Sequence, residues 1–255
     1  MGAVEGRRAL VVGASKGIGR GVALALAAEG AEVVAAARST DLLASLAAEA
    51  GGAVTALHCD VTDPASVTIA VAAAADALGG IDALVYATGT GVVGTLAQVT
   101  AAHWHGALAT NVVGASVVTA AAVPHLVEAG GVAVYFSSVS AQVLPPWKGT
   151  GVYLAAKKAL EKAVEVWTLE EPRVRFTTIV VGATSGGSFF ADAVYAEGAD
   201  MDAFGADWRA RGYAGGGPSL EIADQAAAVI AVLNSKAQID RQWVRPRHTM
   251  QLPTQ

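Results

Sequence analysis

Six short β-rich runs, alternating with longer alanine-rich stretches of helical length, organise the chain from Arg7 to Val181. They are residues 7–12, "AEVVAAA" (31–37), "AVTALH" (53–58), "DALVYA" (82–87), "VAVYFS" (132–137) and "RFTTIVV" (175–181). This rhythm calls for a parallel sheet with helices on both faces, because each strand must be carried back over the sheet before the next can pair with it. Right-handed crossovers bring the C-terminal ends of the strands to one edge, where open α/β sheets bind their ligands. Residues that carry chemistry are therefore expected just after strands. The 255 residues suit one α/β domain or two small ones; with no internal repeat or low-complexity linker, residues 1–255 are read as one domain.

Residues 185–218 break the rhythm with a glycine- and aromatic-rich segment of no clear period. It is expected to be a lid or substrate loop, since long excursions in compact domains usually bind something and aromatic content argues against plain disorder. After it, "SLEIADQAAAVIAVLNS" predicts a last amphipathic helix, with Ser219 as N-cap and Ile222, Ala226, Val229, Ile230 and Leu233 on one face.

Hydrophobic residues make up 53% of the chain and charged residues 15%, a balance that points to surface hidden in an oligomer. A net charge of -5 gives no electrostatic reason to expect a nucleic-acid or anionic-membrane partner. Cys59 is the single cysteine, so no internal disulfide forms, and the opening "MGAVEGRRALVVG" lacks the apolar core of a signal peptide; a cytoplasmic address is expected. No charged side chain occurs between Asp82 and Glu128, but Gln98, His103, His105, Asn111 and Pro124 interrupt the stretch. It is read as a helix buried on most sides rather than a membrane span.

The first strand runs directly into "GASKGIG" (13–19). Glycines at a strand-to-helix turn let the backbone approach a pyrophosphate, which would sit on the free N–H groups at the start of the helix. A tight turn needing positive φ is the plainer reading of the same residues. The turn lacks the Gly-Lys-Ser/Thr ending of a P-loop.

From here the sequence resembles the short-chain dehydrogenase/reductase family, over about residues 7–182 and a similar closing helix, with Val12 in place of the family's usual threonine. The resemblance implies a single Rossmann-type domain, a three-layer doubly wound α/β fold, binding a nicotinamide dinucleotide. It places Gly13, Ser15, Lys16, Gly17, Ile18 and Gly19 at the cofactor, with Asp60 and Val61 of "HCDVTD" at the adenine. Asp63, before Pro64, reads better as a helix N-cap. At the end of the second strand Ala37 stands where NAD-preferring relatives carry Asp, and Arg38 follows it. Arg38 and Lys16 facing one 2′-phosphate would favour NADP(H) over NAD(H).

The resemblance also implies the site residues. The fourth strand ends in "YATG" where the family reads N-N-A-G, so Tyr86, Ala87 and Thr88 depart from the pattern and Gly89 keeps it. Without the usual asparagine amides, another local hydrogen-bond arrangement is required. Asn111 of "TNVVGAS" matches the helix asparagine that holds a relay water in relatives. Ser138 is the last of the strand-end pair, whereas Ser140 has the usual spacing of thirteen residues before Tyr153; Ser138 is favoured, because a longer loop is easier to accommodate than a shifted strand end.

Tyr153 and Lys157 share a helix face at i and i+4, while Lys158 is rotated away and reads as a solvated neighbour. A free phenol ionises near pH ~10, so the Lys157 charge, together with that of the oxidised nicotinamide, would lower it. Gly182 and Thr184 stand where relatives have a Pro-Gly turn and the threonine that bonds the nicotinamide carboxamide.

His103, His105 and Cys59 make no metal-ligand set. Leu144, Trp147, Phe189, Phe190, Tyr195, Phe204 and Trp208 either line an apolar pocket or pack against the domain. The implied activity is interconversion of a ketone and a secondary alcohol, with Tyr153, Lys157, Ser138 and Asn111 as the catalytic set, in a homo-oligomer, either tetramer or dimer. The alternative is a non-catalytic dinucleotide sensor on the same fold.

Overall fold

The structure is a computed structural model that describes residues 2–187, 189–212 and 219–246. In chain order its elements are β1 (Arg8–Val12), α1 (Gly17–Ala28), β2 (Glu32–Ala37), α2 (Thr40–Glu49), β3 (Val54–His58), α3 (Pro64–Leu78), β4 (Ala83–Tyr86) and β5 (Val92–Val93). Then come α4 (Ala101–Leu108), a π-helical segment (Ala109–Val113), α5 (Gly114–Ala129), β6 (Val132–Ser138), a 3-10 turn (Val139–Ala141), α6 (Gly151–Glu170) and β7 (Arg175–Val181). The last are α7 (Phe189–Asp192), β8 (Val194–Tyr195), α8 (Met201–Ala210), α9 (Ile222–Asn234) and β9 (Arg241–Val244).

Seven strands form one parallel sheet in the order β3-β2-β1-β4-β6-β7-β9. The order reverses between β1 and β4, where the two halves of a doubly wound sheet leave a crevice at their C-terminal ends. Two apolar layers cover it. On one face Leu10, Val34, Leu84 and Tyr135 meet α3, α5 and α6 through Val67, Val118 and Leu160. On the other, Val11, Val33, Val85 and Phe136 meet α1, α2 and α9 through Val22, Leu46 and Val229. This is the expected three-layer α/β architecture.

All six expected strands are present. The seventh, β9, was not anticipated, since "RQWV" has an exposed charged start, no apolar run, and pairs only because β7 offers it an edge. Asp63 caps α3 through a 3.0 Å bond from Ala65 N, with Pro64 in the first turn. The N-cap of α9 is Glu221 rather than Ser219, in a reciprocal capping box with Asp224. The helix starts later than expected because Leu220 is held in a bridge to Thr184, with backbone bonds to Ala183 and Ser185.

The run from Ala101 to Ala129 is continuous helix, long and apolar enough to cross a membrane by length and composition, with 44% of its most apolar window buried. It is therefore less enclosed than the expected helix buried on most sides. One face packs on α3, α6 and the sheet, while Val113, Ala120 and Pro124 lie exposed on the other.

The excursion after β7 carries elements of its own. Strand β8 pairs with β5, and the Gln98 amide donates to Gly198 O at 2.7 Å. Helix α8 is capped by Asp200, and its Phe204 and Trp208 are buried with Val93 and against Trp147. Trp208 Nε1 donates to Lys148 O at 2.9 Å. Residues 188 and 213–218 of the expected lid, and the side chains of Phe189 and Phe190, lie outside the described residues.

Candidate active site

The end of β6 and the first turns of α6 bring the expected hydroxyl, phenol and ammonium together. Ser138, the last residue of β6, has its Oγ 2.8 Å from Ser140 Oγ and accepts from Ser140 N at 3.3 Å. Its hydroxyl also bonds the Tyr153 phenol. The two candidate serines thus stand in series, Ser138 next to the tyrosine and Ser140 behind it, where the 3-10 turn buries it.

Tyr153 is pushed up to about 12 by burial, with the Ser138 hydrogen bond working the other way. Lys157, one turn along α6, lies 5.8 Å from the centre of the tyrosine ring, and its Nζ donates to Phe136 O at 2.8 Å. Burial draws this amine down to about 8, opposed by the Glu161 carboxylate. Removal from water dominates at both groups. Lys158, read as solvated, is exposed but bonded to Gln142 and, at 3.2 Å, to Glu161.

Asn111 is fully buried in the π-helical segment. Its Nδ2 donates to Ala107 O and Thr90 O, both at 2.9 Å, and its Oδ1 accepts from Thr90 N at 3.2 Å. π-Bulges recur at functional sites because the wide turn frees backbone groups. A Cβ on Gly89 would lie 2.8 Å from Asn111 Oδ1 and 3.4 Å from Lys157 Nζ, so this glycine keeps the asparagine and the lysine in one open corner.

The altered fourth-strand motif supplies its own bracing. The fully buried Tyr86 donates its hydroxyl to Thr110 O at 2.6 Å, in the same π segment, and Gly114 provides the room, since a Cβ there would lie 2.9 Å from the Tyr86 oxygen.

At the other end of the crevice, the glycine turn is a cradle closed by backbone. Gly13 has φ +87°, and a Cβ there would sit 2.5 Å from Thr88 Oγ1; a Cβ on Gly19 would sit 2.2 Å from Gly13 O. Gly17 opens α1 at φ +56°, next to Ser15 and Lys16, while Ile18 packs into the layer below. The cradle fits a dinucleotide pyrophosphate: close backbone approach, free N–H groups and a positive helix end.

Asp60 Oδ1 accepts from Thr62 N and Oγ1 at 2.9 and 2.7 Å, and these bonds, with smaller help from Arg38 and His58, hold its carboxyl below the usual range. Val61 follows it, buried.

Arg38 is exposed at the end of β2. Lys16, expected beside it on a phosphate, has its Nζ 2.5 Å from Asp192 of α7 instead, so it ties the cofactor turn to the excursion. The Thr184 hydroxyl donates to Gly182 O and accepts from Gln225 Nε2, both at 3.1 Å, so its hydrogen bonds run within the chain.

His103 completes the capping box of α4 with Thr100, and burial pushes the Cys59 thiol up to about 11. Among the described residues no group of three His, Cys, Asp or Glu side chains gathers that could hold a metal ion.

A doubly wound parallel sheet with a glycine cradle at its switch point and a Ser–Tyr–Lys group at the adjacent strand end defines the class of nicotinamide-dinucleotide oxidoreductases. The short chain dehydrogenase family model matches residues 7–197. An uncharacterised oxidoreductase of Mycobacterium tuberculosis is 36% identical over 203 residues, covering 74% of this chain and 78% of the relative. One from Methylorubrum extorquens is 37% identical over 164 residues, 63% of this chain and 65% of that protein. Among solved structures, the alcohol dehydrogenase of the archaeon Thermococcus sibiricus, complexed with 5-hydroxy-NADP, superposes with a TM-score of 0.79 at 25% identity, covering 96% of this chain and 98% of that one. This chain belongs to the short-chain dehydrogenase/reductase family, oxidoreductases that act on CH–OH groups with a nicotinamide dinucleotide.

One buried group escaped the sequence reading. Glu161 lies two turns beyond Tyr153 on α6, its side chain 4% exposed, bonded to Ser137, Gln142, Lys158 and Arg241. The signal was available: a lone carboxylate on the face that Leu160 and Val164 bury is out of pattern for an amphipathic helix.

Proposed function

We propose that the chain is an NADP(H)-dependent oxidoreductase that interconverts a ketone and a secondary alcohol on an apolar substrate. The observation that carries this reading is the hydrogen-bonded Ser138–Tyr153 pair with the buried Lys157 ammonium one turn away. When bound, the nicotinamide supplies or accepts the hydride. Ser138 holds the substrate oxygen, and Tyr153, protonated at neutral pH by its burial, gives that oxygen its proton in the reductive direction. Lys157 binds the nicotinamide ribose and faces the tyrosine. Asn111, anchored to Thr90 and Ala107, completes the route by which the proton is replaced.

The cofactor preference rests on Arg38 and on Ala37 beside it, where no carboxylate repels a 2′-phosphate; Lys16 supports it only when released from Asp192. Gly13, Gly17 and Gly19 hold the pyrophosphate, and Asp60 and Val61 the adenine. Phe204 and Trp208, with Trp147 against them, are spent on packing, so the apolar lining is assigned to Leu144 and Tyr195, which are exposed.

We read residues 1–255 as one domain, cytoplasmic, and working as a homodimer or homotetramer; the exposed face of the helix over residues 101–127, which carry no charged side chain, is the surface such an assembly would cover. No nucleic-acid or membrane partner is proposed.

The test is a turnover screen of assorted ketones with NADPH, beside Tyr153→Phe. The reading expects turnover that the substitution abolishes. Tight NADPH binding without turnover of any carbonyl, and a Tyr153→Phe protein indistinguishable from wild type, would favour the dinucleotide sensor.

A further inference from the structure

Three consecutive residues at the end of β6 are tied to three turns of α6. Phe136 O accepts from Lys157, Ser137 Oγ donates to Glu161, and Ser138 bonds Tyr153. Glu161 is the most heavily bonded of these groups. Its Oε1 takes the hydroxyl of Ser137 and the amide of Gln142, the residue that closes the turn carrying Ser140. Its Oε2 takes Lys158 Nζ at 3.2 Å and Arg241 Nη2, from the edge strand β9, at 3.1 Å. Donors from a helix, a strand end, a turn and a second strand thus converge on one buried carboxylate.

A carboxylate in this place is costly unless every lone pair is used, and an apolar side chain would pack α6 on the sheet as well or better. What the carboxylate does that a leucine could not is act on Lys157. That ammonium faces the Tyr153 ring and Glu161 on its own helix, the Phe136 carbonyl on β6, and the Asn111–Gly89 corner across the crevice. Of these, Glu161 carries the opposing charge, one turn along the helix, and its field acts on the lysine against the effect of burial. Lys158, Arg241, Glu165 through Arg241 at 3.5 Å, and Asp240, which lines the same pocket, are the other charges around Glu161 among the described residues.

We propose, resting on the Ser–Tyr–Lys reading above, that Glu161 is a positioning residue whose carboxylate keeps Lys157 charged and whose bonds to Ser137 and Gln142 hold it at the serine-bearing strand end. With burial already drawing Lys157 down to about 8, loss of the neighbouring negative charge leaves a neutral amine over more of the working pH range.

The experiment is NADPH binding, followed by cofactor fluorescence between about pH 6 and 10, a range that brackets a depressed lysine. The wild-type protein loses affinity in a step as Lys157 gives up its proton, and Lys157→Met removes that step. Glu161→Gln, which keeps the shape and can still accept from Ser137 and Gln142 at its one oxygen but carries no charge for Lys158 and Arg241, moves the step down by about one pH unit. Glu161→Asp leaves it near its wild-type position. If Glu161→Gln does not fold, Glu161→Met, which fills the same space without charge, is read in the same way. A folded neutral variant with its step at the wild-type pH overturns the proposal. A step absent from wild type, or one that survives Lys157→Met, overturns instead the ribose-binding role of Lys157.

Discussion

The hydroxyl oxygens of Ser138 and Ser140 lie 2.8 Å apart, and Ser138 is the one bonded to Tyr153. A substrate oxygen held at the tyrosine would be reached by Ser138, while Ser140 orients the Ser138 hydroxyl from behind. Ser138→Ala is expected to lower kcat by about 100-fold or more, and Ser140→Ala by about tenfold, with cofactor affinity unchanged in both. Steady-state kinetics on a ketone identified by the screen decide it; a larger loss for Ser140→Ala would reverse the two roles.

Lys157 should be a stability liability at neutral pH. Its folded-state value of about 8 lies below that of the unfolded chain, so between these values the unfolded state holds more protons and stability rises with pH. The penalty is complete below about pH 8 and fades as pH rises toward 10.5. Lys157→Met is thus expected to raise Tm by a few degrees at pH 7, about 1–2 kcal/mol after the lost bond to Phe136 O is allowed for, and by less at pH 9.5. Thermal melts at the two pH values check the direction.

Tyr86→Phe deletes one oxygen from the core and leaves Thr110 O without its 2.6 Å donor. A buried carbonyl so abandoned costs about 1–3 kcal/mol. Because that carbonyl belongs to the π segment carrying Asn111, kcat should fall together with stability. Denaturant unfolding and kinetics on the same sample test the coupling; a stability loss at unchanged kcat would separate Tyr86 from the relay.

The cofactor preference should divide unequally between the two cations. Arg38→Ala is expected to lower the ratio of NADPH to NADH affinity by about tenfold or more, because a charge-assisted bond to the 2′-phosphate is lost. Lys16→Ala should lower it less, since Lys16 spends its charge on Asp192. Asp192→Asn frees Lys16 and should raise the ratio. Fluorescence titrations with both cofactors give all three values, and a wild-type protein with no preference refutes the NADP(H) assignment.

What could be read from the sequence was whatever depends on near neighbours in the chain. Six β-rich runs separated by helical stretches specify the parallel strands, since periodicity and crossover length act locally. The turn from Gly13 to Gly19 announces a backbone that must pass close to something, and the i, i+4 spacing puts Tyr153 and Lys157 on one helix face. Other features depend on partners distant in sequence, and only the tertiary structure decided them. Spacing alone did not choose between Ser138 and Ser140; the approach of α6 to β6 did. Phe204 and Trp208 turn inward because α8 docks on Val93 and Trp147. Strand β9 exists because β7 offers an unpaired edge. Burial, with Glu161 as the one charge opposing it, sets the ionisation of Lys157, and burial is a property of the assembled layers that no local window of sequence contains.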